Sequence, residues 1–127
     1  RPWQHVLEPL AGYMILAEQL CKNIGLADAY NFGPSQQDIV TVRNLIGFAS
    51  KAYGSGKVSL CNEIKGPHEA GSLVLETTKA RLILGFEPRL ALFDAIQMTM
   101  DWYRSQLEGS DPRKLCEDDI SNYEALI

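Results

Sequence analysis

The chain opens with Arg1-Pro2-Trp3-Gln4-His5-Val6-Leu7-Glu8-Pro9-Leu10, a polar and aromatic run that leads directly into an amphipathic helix. Pro9 suits the first turn of that helix, and Glu8 lies favourably near its positive end. Apolar residues then recur at steps of three and four, at Leu10, Tyr13, Met14, Ala17, Leu20, Cys21 and Ile24. This spacing predicts one buried stripe on a helix of about 15 residues, which Gly25 ends.

Residues 26–75 contain two predicted strands and one predicted helix. Residues 29–32 form a short strand, and Gly33-Pro34 stops it. Thr41 caps a helix that ends at Gly54-Ser55-Gly56, and the alternation of residues 58–64 predicts a half-buried strand. Residues 65–72 are expected to be a loop, followed by an extended segment at 73–75.

The last third of the chain is predicted to be helical. Thr77 or Thr78 caps a short helix through Leu84, and Gly85 ends it. A long helix then has an inner face of Leu92, Ile96, Thr99, Tyr103 and Leu107. After the break at 109–112, a final helix carries Cys116, Ile120, Tyr123 and Ile127 in register. We expect a helix-rich α/β lobe in which four or five helices cover a few short strands.

Composition limits the function classes. With 127 residues, 46% of them hydrophobic and 22% charged, the chain is predicted to be one soluble domain without a membrane span. A net charge of −4 and scattered basic residues argue against nucleic-acid binding. Three widely spaced cysteines and two histidines suggest neither a disulfide framework nor a metal site, so a reducing cytoplasm is the simplest setting.

Two patterns that suggest catalysis are rejected. Tyr53 and Lys57 have the Tyr-x-x-x-Lys spacing of short-chain dehydrogenases, but Gly54-Ser55-Gly56 should break the helix that the motif needs. The same glycines fail the P-loop pattern, and no Gly-x-Gly-x-x-Gly turn follows a strand. We therefore expect no catalytic residue and no bound cofactor in this chain.

Several residues could instead hold a ligand. The guanidinium of Arg1 suits a diphosphate, although an exposed arginine is equally compatible with the sequence. Asn31 can recognise a hydroxyl or phosphate, but an Asn beside Gly-Pro is more often part of a turn. Glu69, next to His68, is more often a solvated carboxylate than a ligand, and His5 more often forms a local hydrogen bond than acts as a base.

Several motifs resemble the C-terminal, substrate-binding part of CDP-glucose 4,6-dehydratases, which are extended short-chain dehydrogenase/reductase enzymes of the NAD-dependent epimerase/dehydratase family. The motifs occur in that family's order: residues 1–10, Tyr30-Asn31-Phe32-Gly33-Pro34, Pro67-His68-Glu69-Ala70, Thr78-Lys79-Ala80, Leu84-Gly85-Phe86-Glu87-Pro88-Arg89 and Asp101-Trp102-Tyr103. They span nearly the whole chain. The abrupt start of the sequence also led us to expect a piece of a larger protein.

The resemblance implies that residues 1–127 are a single substrate-binding lobe of a Rossmann-type enzyme. The NAD-binding domain, with the catalytic residues, would lie upstream. The parent would be a cytoplasmic hydro-lyase of deoxysugar and lipopolysaccharide O-antigen synthesis, and as a full-length enzyme a homo-oligomer. Arg1, Asn31, Glu69 and His68 would contact the CDP-sugar, and this lobe alone would be inactive.

Two alternatives remain open at this stage. The chain is also compatible with the same lobe of another nucleotide-sugar epimerase or dehydratase, which would share the phosphate contacts and differ in base recognition. A non-catalytic helical interaction module is the other alternative. The presence of a glycine-rich strand-turn-helix and a helical Tyr-x-x-x-Lys in a longer reading frame would argue against that module.

Overall fold

The computed structural model describes residues 1–35, 38–59 and 73–126. These parts of the chain form four α-helices: α1 (Leu7–Lys22), α2 (Val42–Tyr53), α3 (Leu92–Leu107) and α4 (Pro112–Glu124). A 3-10 turn (Ile24–Leu26) follows α1, and a π-helical turn (Ala80–Leu84) precedes α3. The prediction of a helix-rich lobe is confirmed.

The expected strands are absent from the described residues. Backbone pairing there is limited to one antiparallel bridge between Pro2 and Ile39, and neither 29–32 nor 73–75 joins a ladder. Most of the predicted strand at 58–64 lies outside the described residues. A β-ladder requires hydrogen bonds between two neighbouring backbones. Here the segments are instead joined by side chains. Gln4 Nε2 donates to the carbonyl of Phe32 (3.1 Å), and Asn31 Nδ2 donates to the carbonyl of Glu76 (3.1 Å).

The predicted inner face of α1 is wrong. Tyr13 and Met14 are 56% and 72% exposed, while the opposite face buries Glu8 and Gly12. That face packs on the core cluster, whose buried members are Phe32, Ala80, Leu84 and Phe86. The Phe32 ring lies so close to Gly12 that a Cβ there would be 2.4 Å from its Cδ1. The prediction failed because α1 has two apolar faces. Ile15 and Leu16 make the face that packs on the core cluster apolar, as well as the predicted one.

The ends of the helices agree in part with the sequence. Thr41 Oγ1 accepts from Asn44 N (3.2 Å), and Gly54 ends α2 with a φ of 82°, as expected. Gly85, with a φ of 70°, ends the π-helical turn. Gly25 does not end α1, because α1 stops at Lys22 and Asn23 Oδ1 accepts from Gly25 N (2.9 Å).

The second half of the chain pairs α3 with α2 and α4. The predicted inner face of α3 is confirmed at Leu92 and Ile96, which are buried, but Tyr103 and Leu107 are exposed. Asp111 caps α4, since its Oδ1 accepts from Arg113 N (3.1 Å). Of the predicted α4 stripe, Tyr123 is buried, Cys116 and Ile120 are exposed, and Ile127 lies outside the described residues.

The capping of the short helix differs from the prediction. Neither Thr77 nor Thr78 provides the side-chain acceptor that we expected at its start. Instead the carboxylate of Glu76 is the side-chain acceptor at this end, since its Oε1 accepts from Thr78 N (2.9 Å).

Candidate functional site

The opening run contacts Phe32, Ile39 and Val40, and these contacts place the backbone of Arg1. The backbone nitrogen of Arg1 donates to the carbonyl of Val40 (3.0 Å), and Pro2 pairs with Ile39. Three residues on, Gln4 Nε2 reaches the carbonyl of Phe32, next to Asn31. The structure therefore joins the segment that carries Arg1 to the segment that carries Asn31.

Asn31 is exposed and links its segment to residues 73–77. Its Nδ2 donates to the carbonyl of Glu76, and the neighbouring Gly33 lies against Leu75 and Thr77, whose side chains would be 3.0 Å and 3.3 Å from a Cβ at this position. A larger side chain at Gly33 would push these segments apart. The described chain resumes at Leu73, four residues after Glu69 in sequence, and its residues 75–77 lie beside Asn31 and Gly33. His68 and Glu69 themselves lie outside the described residues.

His5 makes the local contact that the sequence favoured. It is 7% exposed, and its Nδ1 accepts from Leu7 N (3.4 Å). Burial lowers the pKa of His5, although the carboxylates of Asp119 and Glu8 oppose this effect. A neutral imidazole that accepts at Nδ1 carries its proton on Nε2. His5 is therefore a buried, neutral side chain at the start of α1.

Glu8 is a buried carboxylate whose role the sequence analysis missed. It is 1% exposed, and its Oε1 accepts from Arg89 N (2.9 Å) and Leu90 N (2.7 Å). Its Oε2 accepts from the Tyr123 hydroxyl (2.9 Å). Burial and this bond raise the pKa of Tyr123, so the phenol stays a donor. Glu8 ties α1 to α4 across 115 residues, a contact that no local pattern indicates.

A cavity with a volume of about 550 Å³ lies between residues 4–10, α3 and α4. The lining is mainly apolar, and its polar or aromatic members are Gln4, His5, Thr99, Trp102, Tyr103 and Asp119. A mostly apolar cavity with a few polar groups is the usual form of a small-molecule site. Arg1 and Asn31, the predicted contacts that lie within the described residues, do not line it.

The rejected Tyr53–Lys57 pair does not form a helical motif. Tyr53 is the last residue of α2, and Gly54 and Gly56 have φ values of 82° and 104°. The helix is therefore broken before Lys57, as the sequence analysis expected. Arg104 Nη1 donates to the carbonyls of Ala52 (3.4 Å) and Tyr53 (3.3 Å) and so occupies the end of α2.

A comparison with protein-family models gave no match. Among curated proteins, the CDP-glucose 4,6-dehydratase of Salmonella typhimurium is 34% identical over 124 residues. The chain is a partial homologue of this dehydratase. The match covers 97% of the chain and 34% of the dehydratase, so the chain spans about a third of that relative's length.

Two structural searches of the described residues were negative. None of their helices has both the length and the apolar character needed to cross a membrane. In these same ranges, no group of three or more His, Cys, Asp or Glu side chains is arranged to hold a metal ion. Cys21 and Cys116 are free thiols.

Proposed function

We propose that this chain is the nucleotide-sugar-binding portion of a CDP-glucose 4,6-dehydratase, a hydro-lyase that converts CDP-D-glucose to CDP-4-dehydro-6-deoxy-D-glucose and water. The observation that carries this proposal is the 34% identity to such a dehydratase, which extends over 97% of the chain. A match over 124 of the 127 residues extends through most of the opening run, the Asn31 segment and the region of His68 and Glu69.

The proposed contacts follow the chemistry of a nucleotide diphosphate. The planar guanidinium of Arg1 would bind phosphate oxygens, and the amide of Asn31 would hydrogen-bond a phosphate or a ribose hydroxyl. Glu69 would accept from a ribose hydroxyl, with His68 beside it. The local geometry supports this grouping, because Gln4 joins the Arg1 run to the Asn31 segment and Asn31 joins that segment to Glu76.

The lobe would contribute by positioning the substrate. Holding the nucleotide at its phosphates and ribose would fix where the hexose lies, and correct placement of reacting groups supplies a large part of many rate accelerations. The chain has no glycine-rich dinucleotide turn, so NAD would be bound by another part of a longer protein. That cofactor would supply the reversible hydride acceptor, and this chain alone would be inactive.

The test is turnover by the longer protein with CDP-glucose, UDP-glucose, TDP-glucose and GDP-mannose, followed by detection of the 4-keto product. Selective turnover of CDP-glucose is the expected result. Turnover of another nucleotide sugar would be consistent with a nucleotide-sugar-binding lobe and would show that the assignment of cytidine as the base is wrong. Absence of turnover with all four would overturn the dehydratase assignment and favour a helical interaction module.

Substitutions in the same longer protein test the individual contacts. Replacing Arg1 with Gln should raise KM for CDP-glucose roughly tenfold to a hundredfold, since a hydrogen bond to a charged group contributes about 1.5–3 kcal/mol. Arg43→Gln is the matched control, because Arg43 is an exposed arginine on α2. Asn31→Ala should also raise KM, with Asn44→Ala as its control. An unchanged KM in Arg1→Gln would exclude the proposed phosphate contact.

A further inference from the structure

The apolar stripe that the sequence predicts on α1 faces away from the core. Leu10, Tyr13 and Met14 belong to that stripe, and all three are exposed, because α1 packs on the core cluster through its opposite side. Glu8 is the only charged residue within 6–17, and it is buried. The uncovered side of α1 is therefore apolar over about three turns, as in a helix that packs against a partner.

The exposed ends of two further helices lie beside this side of α1. On α3, Tyr103 lines the cavity described above, and Leu107 lies one turn further along the same side of the helix. On α4, Ile120 lines the same cavity. Val6 and Leu10 belong to this lining as well, and because all of these side chains are exposed, the cavity is the floor of an open groove. We call the whole surface the apolar face; its members are Val6, Leu10, Tyr13, Met14, Tyr103, Leu107 and Ile120.

The apolar face is large enough for a stable protein interface. Its seven members are each between 44% and 72% exposed. Together they present on the order of 700 Å² of surface, and each partner in a standard protein–protein interface buries roughly 800 Å². Monomeric proteins rarely expose a continuous apolar patch of this size. We therefore expect another protein surface to cover this face.

The apolar face is complementary to itself in shape. Met14 is its most exposed member and lies about two turns beyond Val6, which lines the groove. Val6 and Met14 are each four residues from Leu10, on opposite sides, which is about 6 Å along the helix axis in each direction. A two-fold axis at Leu10 therefore brings Met14 of each copy over Val6 and the groove of the other copy, and both contacts form together.

We propose that the apolar face is a homodimer interface in which two copies pack α1 against α1, in antiparallel orientation, about Leu10. Met14 of each copy enters the groove of the other, whose wall includes Trp102 and Tyr103. These two rings meet edge to face with centroids 5.3 Å apart. A methionine side chain adapts to irregular cavities and makes favourable contacts with aromatic rings. The face does not include the proposed nucleotide-sugar contacts, so dimerisation does not depend on that function.

Sedimentation equilibrium of this chain tests the dimer. The wild type should reach twice the mass of one chain, and Met14→Glu should raise the dissociation constant at least tenfold. Leu82→Glu is the matched control, because Leu82 is similarly exposed on the π-helical turn, which packs on the opposite side of α1, and it should dimerise like the wild type. Association beyond the dimer would overturn the proposal. A monomer at all concentrations would also overturn it and would leave the face to another part of a longer protein.

A mixture of two variants tests the register about Leu10. Val6→Glu and Met14→Lys should each raise the dissociation constant at least tenfold, because each places an unpaired charge in the interface. An equal mixture should form dimers again, since one carboxylate then faces one ammonium while the second Val6–Met14 contact is intact. Val6→Glu mixed with Met14→Glu is the control and should stay monomeric. Both positions are exposed, so circular dichroism should show folded variants, and no recovery in the first mixture would contradict this packing.

Discussion

Glu8 and Asp119 are two carboxylates that differ in burial and in hydrogen bonding. Glu8 is 1% exposed and accepts three hydrogen bonds, two from backbone amides and one from Tyr123. Asp119 is half-buried and has no hydrogen bond or ion pair to the described part of the chain. The difference separates a carboxylate whose contacts hold the fold from one that makes no such contact in the described part of the chain.

Helices α1 and α4 position both carboxylates, since Glu8 lies on α1 and Asp119 on α4. Asp119 and Tyr123 are four residues apart on α4 and therefore lie on one face of that helix. His5 and Glu8 are three residues apart at the start of α1. Tyr123 reaches Glu8, while Asp119 is close enough to His5 for each to shift the pKa of the other. One helix contact thus places the hydrogen-bonded Glu8 near Asp119, which has no hydrogen bond within the described residues.

Removing Glu8 should have the largest effect. Glu8→Ala leaves the amides of Arg89 and Leu90 and the hydroxyl of Tyr123 without an acceptor. At about 1–3 kcal/mol for each unsatisfied buried group, the free energy of unfolding should fall by about 3 kcal/mol or more. Urea unfolding followed by circular dichroism measures this. Glu124→Ala, at an exposed position of α4, is the control, and an equally small loss in both variants would show that Glu8 does not hold the fold.

Removing one donor should have a smaller effect. Tyr123→Phe keeps the ring that packs under Arg89, with the guanidinium 5.1 Å from the ring centroid, and deletes the hydroxyl. Glu8 Oε2 then lacks its donor, so we expect a loss of about 1–3 kcal/mol. Tyr13→Phe is the matched control because Tyr13 is exposed. The distinction between the two carboxylates would weaken if Tyr123→Phe were as stable as Tyr13→Phe.

Two glycines separate the contribution of apolar packing on α1 from that of the Glu8 contacts. Gly12→Ala would place a Cβ 2.4 Å from the Phe32 ring, whereas nothing lies within 4 Å of a Cβ at Gly47 on α2. Overpacking costs about 1–3 kcal/mol, and replacing a helical glycine with alanine gains about 1 kcal/mol. Gly12→Ala should therefore destabilise by up to about 2 kcal/mol, while Gly47→Ala stabilises by up to about 1 kcal/mol. Thermal or urea unfolding of both variants tests this, and stabilisation in Gly12→Ala would show that Phe32 can move.

The sequence predicted features with a local cause. Thr41 and Asp111 are caps as expected, because an N-cap needs only a side-chain oxygen two or three residues before an amide. Gly54 and Gly85 end their helices because glycine adopts a positive φ without strain. These features depend on neighbours in the chain, which a sequence displays directly.

Features that depend on distant contacts could not be predicted in this way. The buried side of α1 is decided by Phe32 against Gly12, and both sides of that helix are apolar enough to be buried. The expected strands at 29–32 and 73–75 have no backbone partner among the described residues. A strand forms only when a second segment pairs with it, and the sequence of one segment does not show whether such a partner exists. Of the candidate site, Asn31 and Arg1 lie in linked segments, whereas the Asp119 cavity had no sequence signal.

The smallest expected effect is a dependence of stability on pH that arises from His5. Burial lowers its pKa in the folded protein below the ordinary value of 6.5. At a pH between the folded and the unfolded pKa of His5, the unfolded chain binds more protons than the folded protein. The contribution of His5 to stability is therefore fully present above about pH 6.5 and is lost as pH falls through the folded pKa. His5→Gln should lose less stability than the wild type between pH 7.5 and pH 5, measured as the shift in urea midpoint.

The same measurement distinguishes Asp119 from Glu8. The carboxylate of Asp119 raises the pKa of His5 and so opposes the effect of burial. Asp119→Asn should therefore lower that pKa further and increase the loss of stability between pH 7.5 and pH 5. It should also leave stability at pH 7.5 nearly unchanged, because no hydrogen bond of the described chain is removed, whereas Glu8→Ala loses stability at both values. A large loss in Asp119→Asn at pH 7.5 would show that Asp119, like Glu8, holds the fold.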